Sequence, residues 1–399
     1  MRRVWLVWGL MLIVLTGCWN NRELDKLAIV AGLGIDKSEQ PGEYKVSMQI
    51  VNPGAITMGR KSGGGSKAMP VSVYTETGST IFEAMRKTAN SVPRQPFFAH
   101  TQMVIIGEEL AREGFSHLFD FYERSRELRL NAPILIAKGS KAEQVLSLIT
   151  PLENVPASGI MKRLTLASKI WGGSHELSIK ALLQTLVSKG EPAISGIRIQ
   201  GDPQIGTTSE NLEETNTSTS LVIDSIAVLK EGKLVSWLSE EKARGTLYLL
   251  NELKGTIMSL PCQDKPEGVA IEVLRSSTTT HVDVKHGRPL FRIEVEQEGS
   301  ISELQCQMDI SKRETMVKLQ KEWAKATEEE IAAAVQAAKE KKSDIFQFGA
   351  RVHEQKPGVW KKWKQDWPEM FADSLLEVQV EAYIRRTGMR IKPYKVGGD

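Results

Sequence analysis

Residues 4–15 are an uncharged apolar run of twelve that follows Arg2 and Arg3 and stops just short of Cys18. A stable helical span needs about 20 such residues, so this one is too short to favour holding a chain across a bilayer. A positive start, a short apolar middle and small residues at the end make an export signal, which is removed before the rest folds. What folds therefore begins at Cys18, and residues 1–17 take no part in the core. The competing reading is an uncleaved signal anchor with a chance cysteine.

Leu15-Thr16-Gly17-Cys18 resembles the lipobox of bacterial lipoproteins, with an aliphatic residue, two small ones and the obligatory cysteine. The resemblance implies that Cys18 becomes an S-diacylglycerol cysteine, with N-acylation, as by palmitate, open to it. Each acyl chain buries CH₂ groups worth about 0.8 kcal/mol apiece, and two chains give the stable anchoring that one cannot. The whole chain carries +3, so losing Arg2 and Arg3 leaves +1. Nothing in that count suggests polybasic attraction to anionic lipid.

At roughly 150 residues per domain, the length predicts two or three domains. A chain that is 41% hydrophobic and 25% charged has material for a sizeable core, which excludes a disordered, collagen-like or polytopic membrane protein. Lys and Arg total 52 against 49 Asp and Glu, so no basic excess argues for nucleic acid as a partner. Cys18, Cys262 and Cys306 are too few for a disulfide framework and too scattered for a zinc ribbon. Cys262 and Cys306 either pair after export or stay as buried thiols.

Residues 27–36 and 44–51 are apolar or alternating runs around Pro41-Gly42, which predicts a β-hairpin. Residues 59–69 offer Gly, Ser and Lys with almost nothing to bury, and predict a mobile loop. Strands are predicted at 71–76, 97–107, 133–137 and 193–200, and helical spacing at 81–89, 142–149, 159–170 and 177–187. No strict strand–helix–strand rhythm connects them. Residues 206–220 hold Leu212 as their one sizeable apolar side chain and read as a flexible linker.

Beyond the linker a hairpin turns at Glu231-Gly232, and further strands are predicted at 269–274, 278–285 and 290–297. Residues 314–342 read as one long helix with two apolar stripes, Met316, Leu319, Trp323 and Ala326, then Ile331, Val335 and Ala338. Leu376, Val378, Val380, Ala382 and Ile384 alternate with polar residues in a last strand. The fold class is α+β and multidomain, with mixed or mainly antiparallel sheets packed by helices. Its divisions are 1–17, the cleaved signal; 18–205, an N-terminal α/β region of one or two subdomains; and 206–220, the linker. Residues 221–392 form a C-terminal domain with an antiparallel sheet and a long helix, and 393–399 are a tail.

Catalytic chemistry finds little support. Gly32-Leu33-Gly34 lacks the third glycine of a dinucleotide loop, Lys37 standing in its place, and reads as a twisted β-segment. Residues 63–67 lack the spacing and flanks of a phosphate loop. No G-x-S-x-G elbow occurs, and His175-Glu176 has Ile179 where a zinc helix needs its second histidine. His281 and His286, a close pair among six histidines, fall on opposite faces of a strand. The reading is no catalytic residue, no metal and no cofactor. Trp360, Trp363 and Trp367 beside Lys361, Lys362 and Lys364 read first as packing within the domain, second as a partner or membrane surface.

Cys18-Trp19-Asn20-Asn21-Arg22-Glu23-Leu24 and Ala31-Gly32-Leu33-Gly34-Ile35-Asp36 resemble the mature start of the Ger(x)C family, the C subunits of bacterial spore germinant receptors. The resemblance continues through Ile105-Ile106-Gly107-Glu108-Glu109-Leu110-Ala111 and Ala137-Lys138-Gly139. It resumes at 232–245, ending in Glu241-Lys242-Ala243-Arg244-Gly245, and at Ile384-Arg385-Arg386-Thr387-Gly388. It implies a mixed α/β fold of uncommon topology and a non-enzymatic lipoprotein on the outer face of the spore inner membrane. Integral-membrane A-type and B-type receptor subunits would be its partners, with nutrient binding assigned to the B-type one. Two rivals share the signal: a solute-binding lipoprotein of a membrane transporter, and a surface hydrolase with an unrecognised carboxylate pair.

Overall fold

The computed structural model describes residues 24–58, 69–125, 127–213, 215–263 and 265–386. The signal, Cys18, nearly all of the 59–69 loop and the 393–399 tail lie outside the described residues.

β1 (Leu27–Lys37), β2 (Tyr44–Val51) and β3 (Val71–Gly78) form an antiparallel meander, and β4 (Gln95–Phe97) runs parallel beside the start of β1. β5 (Met103–Gly107), β6 (Ile134–Lys138) and β7 (Ile194–Gln200) extend the sheet from β1 in parallel. β8 (Ser220–Lys230) and β9 (Lys233–Ser239) close it antiparallel, so the order across is β3-β2-β1-β5-β6-β7-β8-β9. The β2–β3 hairpin and a helix interrupt the crossover from β1 to β5, which is why no strand–helix rhythm shows in the sequence.

Parallel central strands bury both faces, and every residue of β5 is buried. The covering helices are α1 (Ile81–Lys87), α2 (Glu108–Glu113), α3 (Ala142–Ser147), α4 (Pro156–Ile170) and α5 (Ile179–Val187). α1, α2 and α5 share a core with Val104, Ile106, Ile134 and Ile136, while α3 and α4 share the opposite core with Met103, Ile105, Leu135 and Ala137. Side-chain oxygens start two of them: Thr80 Oγ1 accepts from Glu83 N–H at 3.1 Å, and Ser178 Oγ accepts from Ala181 N–H at 3.2 Å.

The 206–220 segment, expected as a flexible linker, is pinned among its described residues. Asn211 is fully buried; its amide donates to the carbonyls of Ile149 at 2.9 Å and Thr219 at 3.1 Å, and its Oδ1 accepts from Thr219 N–H at 3.0 Å. One satisfied amide closes a loop that lacks apolar surface, a device that counting apolar residues does not register. The first sheet continues past it, with β7 and β8 paired from Ile194↔Ala227 to Gln200↔Ser220. The hairpin turning at Glu231-Gly232 thus sits in the first sheet rather than the second.

The second sheet runs β10 (Thr256–Cys262), β11 (Lys265–Lys285), β12 (Arg288–Leu304) and β13 (Leu375–Arg386). Its pairings are antiparallel up to β12, and β13 joins parallel to β12. β11 and β12 are 21 and 17 residues long and meet at His286-Gly287, where φ is 52° and 78° as a two-residue primed turn requires. α6 (Glu241–Leu249), α7 (Arg313–Glu340), α8 (Phe348–Gln355), α9 (Pro357–Trp363) and α10 (Trp367–Ala372) contribute to its core. α7 buries one continuous stripe where two were expected, because the polar Thr327 and Glu330 are buried between Trp323 and Ile331. Cys262 and Cys306 are joined by a disulfide, with Cα atoms 6.2 Å apart. β8 links the halves: Ile226 and Val228 belong to the second core, Ala227 and Leu229 to the first, as strand alternation dictates.

Candidate functional site

β1, β5 and β6 are parallel, so their carboxyl ends arrive together, and the loops leaving such ends are where open α/β sheets build sites. Gly32 and Gly34 lie under α3: a Cβ on Gly32 would stand 2.6 Å from Leu146 Cδ2, and one on Gly34 3.1 Å from Ala142 Cβ. These glycines serve close helix–strand packing. Two residues on, the buried Asp36 carboxylate accepts from the amides of Ala142 at 2.7 Å and Glu143 at 3.0 Å, the first N–H groups of α3. Burial pushes the Asp36 carboxyl above its usual range, and the two amides pull against that rise.

Gly107 ends β5 against Asp36 Oδ1, leaving no room for a Cβ. Its neighbour Glu108 accepts from Trp237 Nε1 at 3.3 Å, from the amide of Gly139 and from Arg112. Burial works against the Glu108 charge, but those donors outweigh it and hold the carboxyl below its usual range. Lys138 Nζ lies 5.5 Å over the Trp237 ring and 3.3 Å from Ser239 Oγ. Residues from 31–36, 105–111, 137–139 and 232–239 are thus gathered in one interlocked polar cluster. Because Asp36 and Glu108 are both occupied by donors of the chain itself, the cluster fixes loop geometry and presents no free base.

A second cluster forms around α6. Arg244 Nε lies 2.9 Å from Glu330 Oε2, and a second guanidinium nitrogen meets Oε1; the side chains are 15% and 7% exposed. Burial pushes the Glu330 carboxyl up, and the Arg244 guanidinium opposes the rise. Gly245 lets α6 rest on α7, since a Cβ there would overlap the Glu330 carbonyl oxygen. The Tyr248 hydroxyl donates to Gln297 Oε1 at 2.7 Å, and Gln297 Nε2 donates to Thr327 Oγ1 at 3.0 Å. Residues 241–248 therefore clamp α7 to β12. A signal for this existed: Thr327 and Glu330 occupy apolar-stripe positions of a helix, four and seven residues after Trp323.

The tryptophan series is packing. Trp367 is buried and its Nε1 donates at 2.9 Å to Asp344, which also accepts from the amides of Phe348 at 3.0 Å and Gly349 at 2.7 Å and so caps α8. Trp360 and Trp363 are partly buried against the same core, with the Trp360 ring 5.2 Å from Trp367. His281 and His286 are exposed on β11 and its turn, whereas His175 is buried with Nε2 2.7 Å from the Ala193 carbonyl. Among the described residues no group of three or more His, Cys, Asp or Glu could hold a metal, and no helix is long and apolar enough to cross a membrane.

Cys18 lies outside the described residues, which begin with a short turn, Leu24–Lys26, leading into β1. Asp25 and Lys26 line an open cleft of ≈ 560 Å³ together with Phe82, Arg86 and Arg94.

A model described as "Spore germination protein N-terminal domain" matches residues 20–199, and one described as "Spore germination B3/ GerAC like, C-terminal" matches residues 224–388. "Spore germination protein KC" of Bacillus subtilis (strain 168) is 33% identical over 390 residues, 97% of this chain and 96% of that one. The chain belongs to the Ger(x)C family. Another relative of this Ger(x)C chain, "Spore germination protein B3" of the same organism, is 24% identical and matches 91% of this chain and 92% of its own. A solved structure, "Crystal Structure of the GerBC protein", shares the fold at TM-score 0.55 and 20% identity, covering 89% of this chain and 97% of that one. The α+β, multidomain architecture is thus common to both. In this Ger(x)C chain the two models part between β7 and β8, inside the first sheet.

Proposed function

We propose that the chain is the lipid-anchored, non-catalytic C subunit of a nutrient germinant receptor, acylated on Cys18 and seated on the outer face of the spore inner membrane. The observation that carries this reading is the pair of spore germination models over 20–199 and 224–388, starting two residues after the cysteine of a lipobox. Removal of residues 1–17 leaves Cys18 as the first residue, bearing diacylglycerol on sulfur, with its freed amine open to a further acyl group. The partners are integral-membrane A-type and B-type subunits. Anchoring turns their encounter into a search over a surface, which raises effective concentration without any new contact. The two sheets with their covering helices supply the interface.

The test is affinity purification of a tagged copy from mild-detergent extracts of spore membranes, with mass spectrometry of what accompanies it. Integral germinant-receptor subunits in near-stoichiometric amounts are expected. A permease with its ATPase, or no membrane partner, would overturn the reading in favour of a solute-binding lipoprotein. Cys18→Ala should release the chain from the membrane and slow germination; a variant that stays bound and germinates normally would refute the anchor.

A further inference from the structure

Six residues carry the chain from Cys18 to Leu24, a reach of at most about 20 Å when fully extended. The anchor therefore holds one particular end of the fold near the lipid: the cleft at the start of β1. Phe82 on its wall is 46% exposed, although its neighbours Ile81 and Met85 on α1 are buried in the core. The Arg86 guanidinium stacks 4.7 Å above the Phe82 ring and reaches Glu127 at 3.5 Å. Arg94, Lys26 and Pro93 line the same cleft. An exposed aromatic ring among Arg and Lys side chains is the composition that settles at the headgroup level of a bilayer. Asp25 and Glu127 line the cleft against Lys26, Arg86 and Arg94, so it carries an excess of one positive charge, and the attraction of that excess to an anionic leaflet is local.

We propose that this cleft face rests on the headgroups of an anionic phospholipid bilayer, as a second membrane contact beside the acylated Cys18. The proposal rests on that anchor. It also fixes which end of the molecule points away. Lys37 closes β1 and meets Glu109 at 3.2 Å, and ten residues of strand at 3.3 Å each place that end about 33 Å from the cleft. The cluster of Asp36, Glu108, Lys138 and Trp237 then stands clear of the lipid, where the extramembrane part of a partner can meet it.

The experiment uses the full acylated chain with single reporter cysteines at Phe82, Ala89, Glu109 or Ile170, each labelled with bimane. Cys262 and Cys306 are paired and the Cys18 sulfur is acylated, so the introduced thiol alone reacts. The chain is reconstituted on phosphatidylcholine vesicles, with and without phosphatidylglycerol, that carry a headgroup nitroxide lipid. Bimane at Phe82→Cys and Ala89→Cys should lose about half its emission on the anionic vesicles, as expected for groups within the headgroup layer. Bimane at Glu109→Cys and at Ile170→Cys should be unchanged, the latter marking the exposed apolar group of Leu166, Ile170 and Trp171. Arg94→Glu, or high salt, should restore the emission at Ala89→Cys. Unchanged emission at both cleft positions, or loss at Ile170→Cys instead, overturns the proposal. Sedimentation of the same vesicles reads the anchor separately: a chain left in the supernatant fails both readings, and a pelleted chain with an unquenched cleft fails this one alone.

Discussion

The first sheet is covered on both faces, and the second on one. In the first, β5 and β6 are continuous apolar runs between α1, α2 and α5 on one side and α3 and α4 on the other. In the second, the outer face is a lattice of exposed charges: Arg292 meets Glu377 at 2.9 Å and also Asp283, and Arg385 meets Glu298 at 2.8 Å. A central parallel strand needs crossover helices, which cover both faces; an antiparallel ribbon needs only a turn and leaves a face free. The consequence is where specificity is stored. The first half uses glycines, apolar shape, a buried carboxylate at a helix start and the buried amides of Gln49 and Asn211. The second buries an ion pair and a Tyr–Gln–Thr chain beneath its single covered face.

That contrast can be broken most sharply at Arg244. Arg244→Met leaves the Glu330 carboxyl buried without its partner, and loss of one member of a buried pair costs about 3–5 kcal/mol. Urea unfolding measures it, and a loss below about 1 kcal/mol would show that Glu330 is accommodated by water instead.

Gly245→Ala against Gly32→Ala sharpens the comparison further. In α6 the added methyl meets the backbone oxygen of Glu330, which cannot yield without moving α7. Overpacking of that kind costs about 3 kcal/mol, which exceeds the roughly 1 kcal/mol that alanine gains over glycine in helix propensity. At Gly32 the obstacle is the end of the Leu146 side chain, so a smaller loss of about 1 kcal/mol is expected. Equal losses would mean that both halves tolerate strain alike.

At the seam between the halves, His175 gives a pH dependence. Burial holds its imidazole below the ordinary value of 6.5. Below that value the unfolded chain binds a proton that the folded one resists, so this stabilisation is complete above pH 6.5 and declines as pH falls. Denaturation midpoints at about pH 7.5 and about pH 5.5 should show the decline, and His175→Gln should flatten it. The smallest effect belongs to the open face of the second sheet: Glu294→Ala should change stability by no more than about 0.5 kcal/mol, read from the same midpoints.

Local structure was legible where the signal is local. The Leu27–Lys37 and Tyr44–Val51 hairpin, the turns at Glu231-Gly232 and His286-Gly287, the Arg313–Glu340 helix and the alternating Leu375–Arg386 strand all follow from period and turn chemistry. The 97–107 run was legible only in part, since it divides into β4 and β5 around residues 98–102. The two polar clusters were half visible: Asp36, Glu108 and Arg244 stand in motifs, but nothing near them in sequence names their partners. Asn211 was missed because a buried amide in a Ser- and Thr-rich stretch looks like any solvated one.

By itself the sequence determined the α+β class and the family, because each is written in short-range pattern or motif order. Only the tertiary structure decided that β1 lies beside β5, that β8 and β9 complete the first sheet, and that Asp36 starts a helix beginning at Ala142. The reason is physical: propensity and periodicity act over a few residues, whereas the choice of neighbour is made by packing whole faces against each other, and no residue carries the address of a partner a hundred positions away.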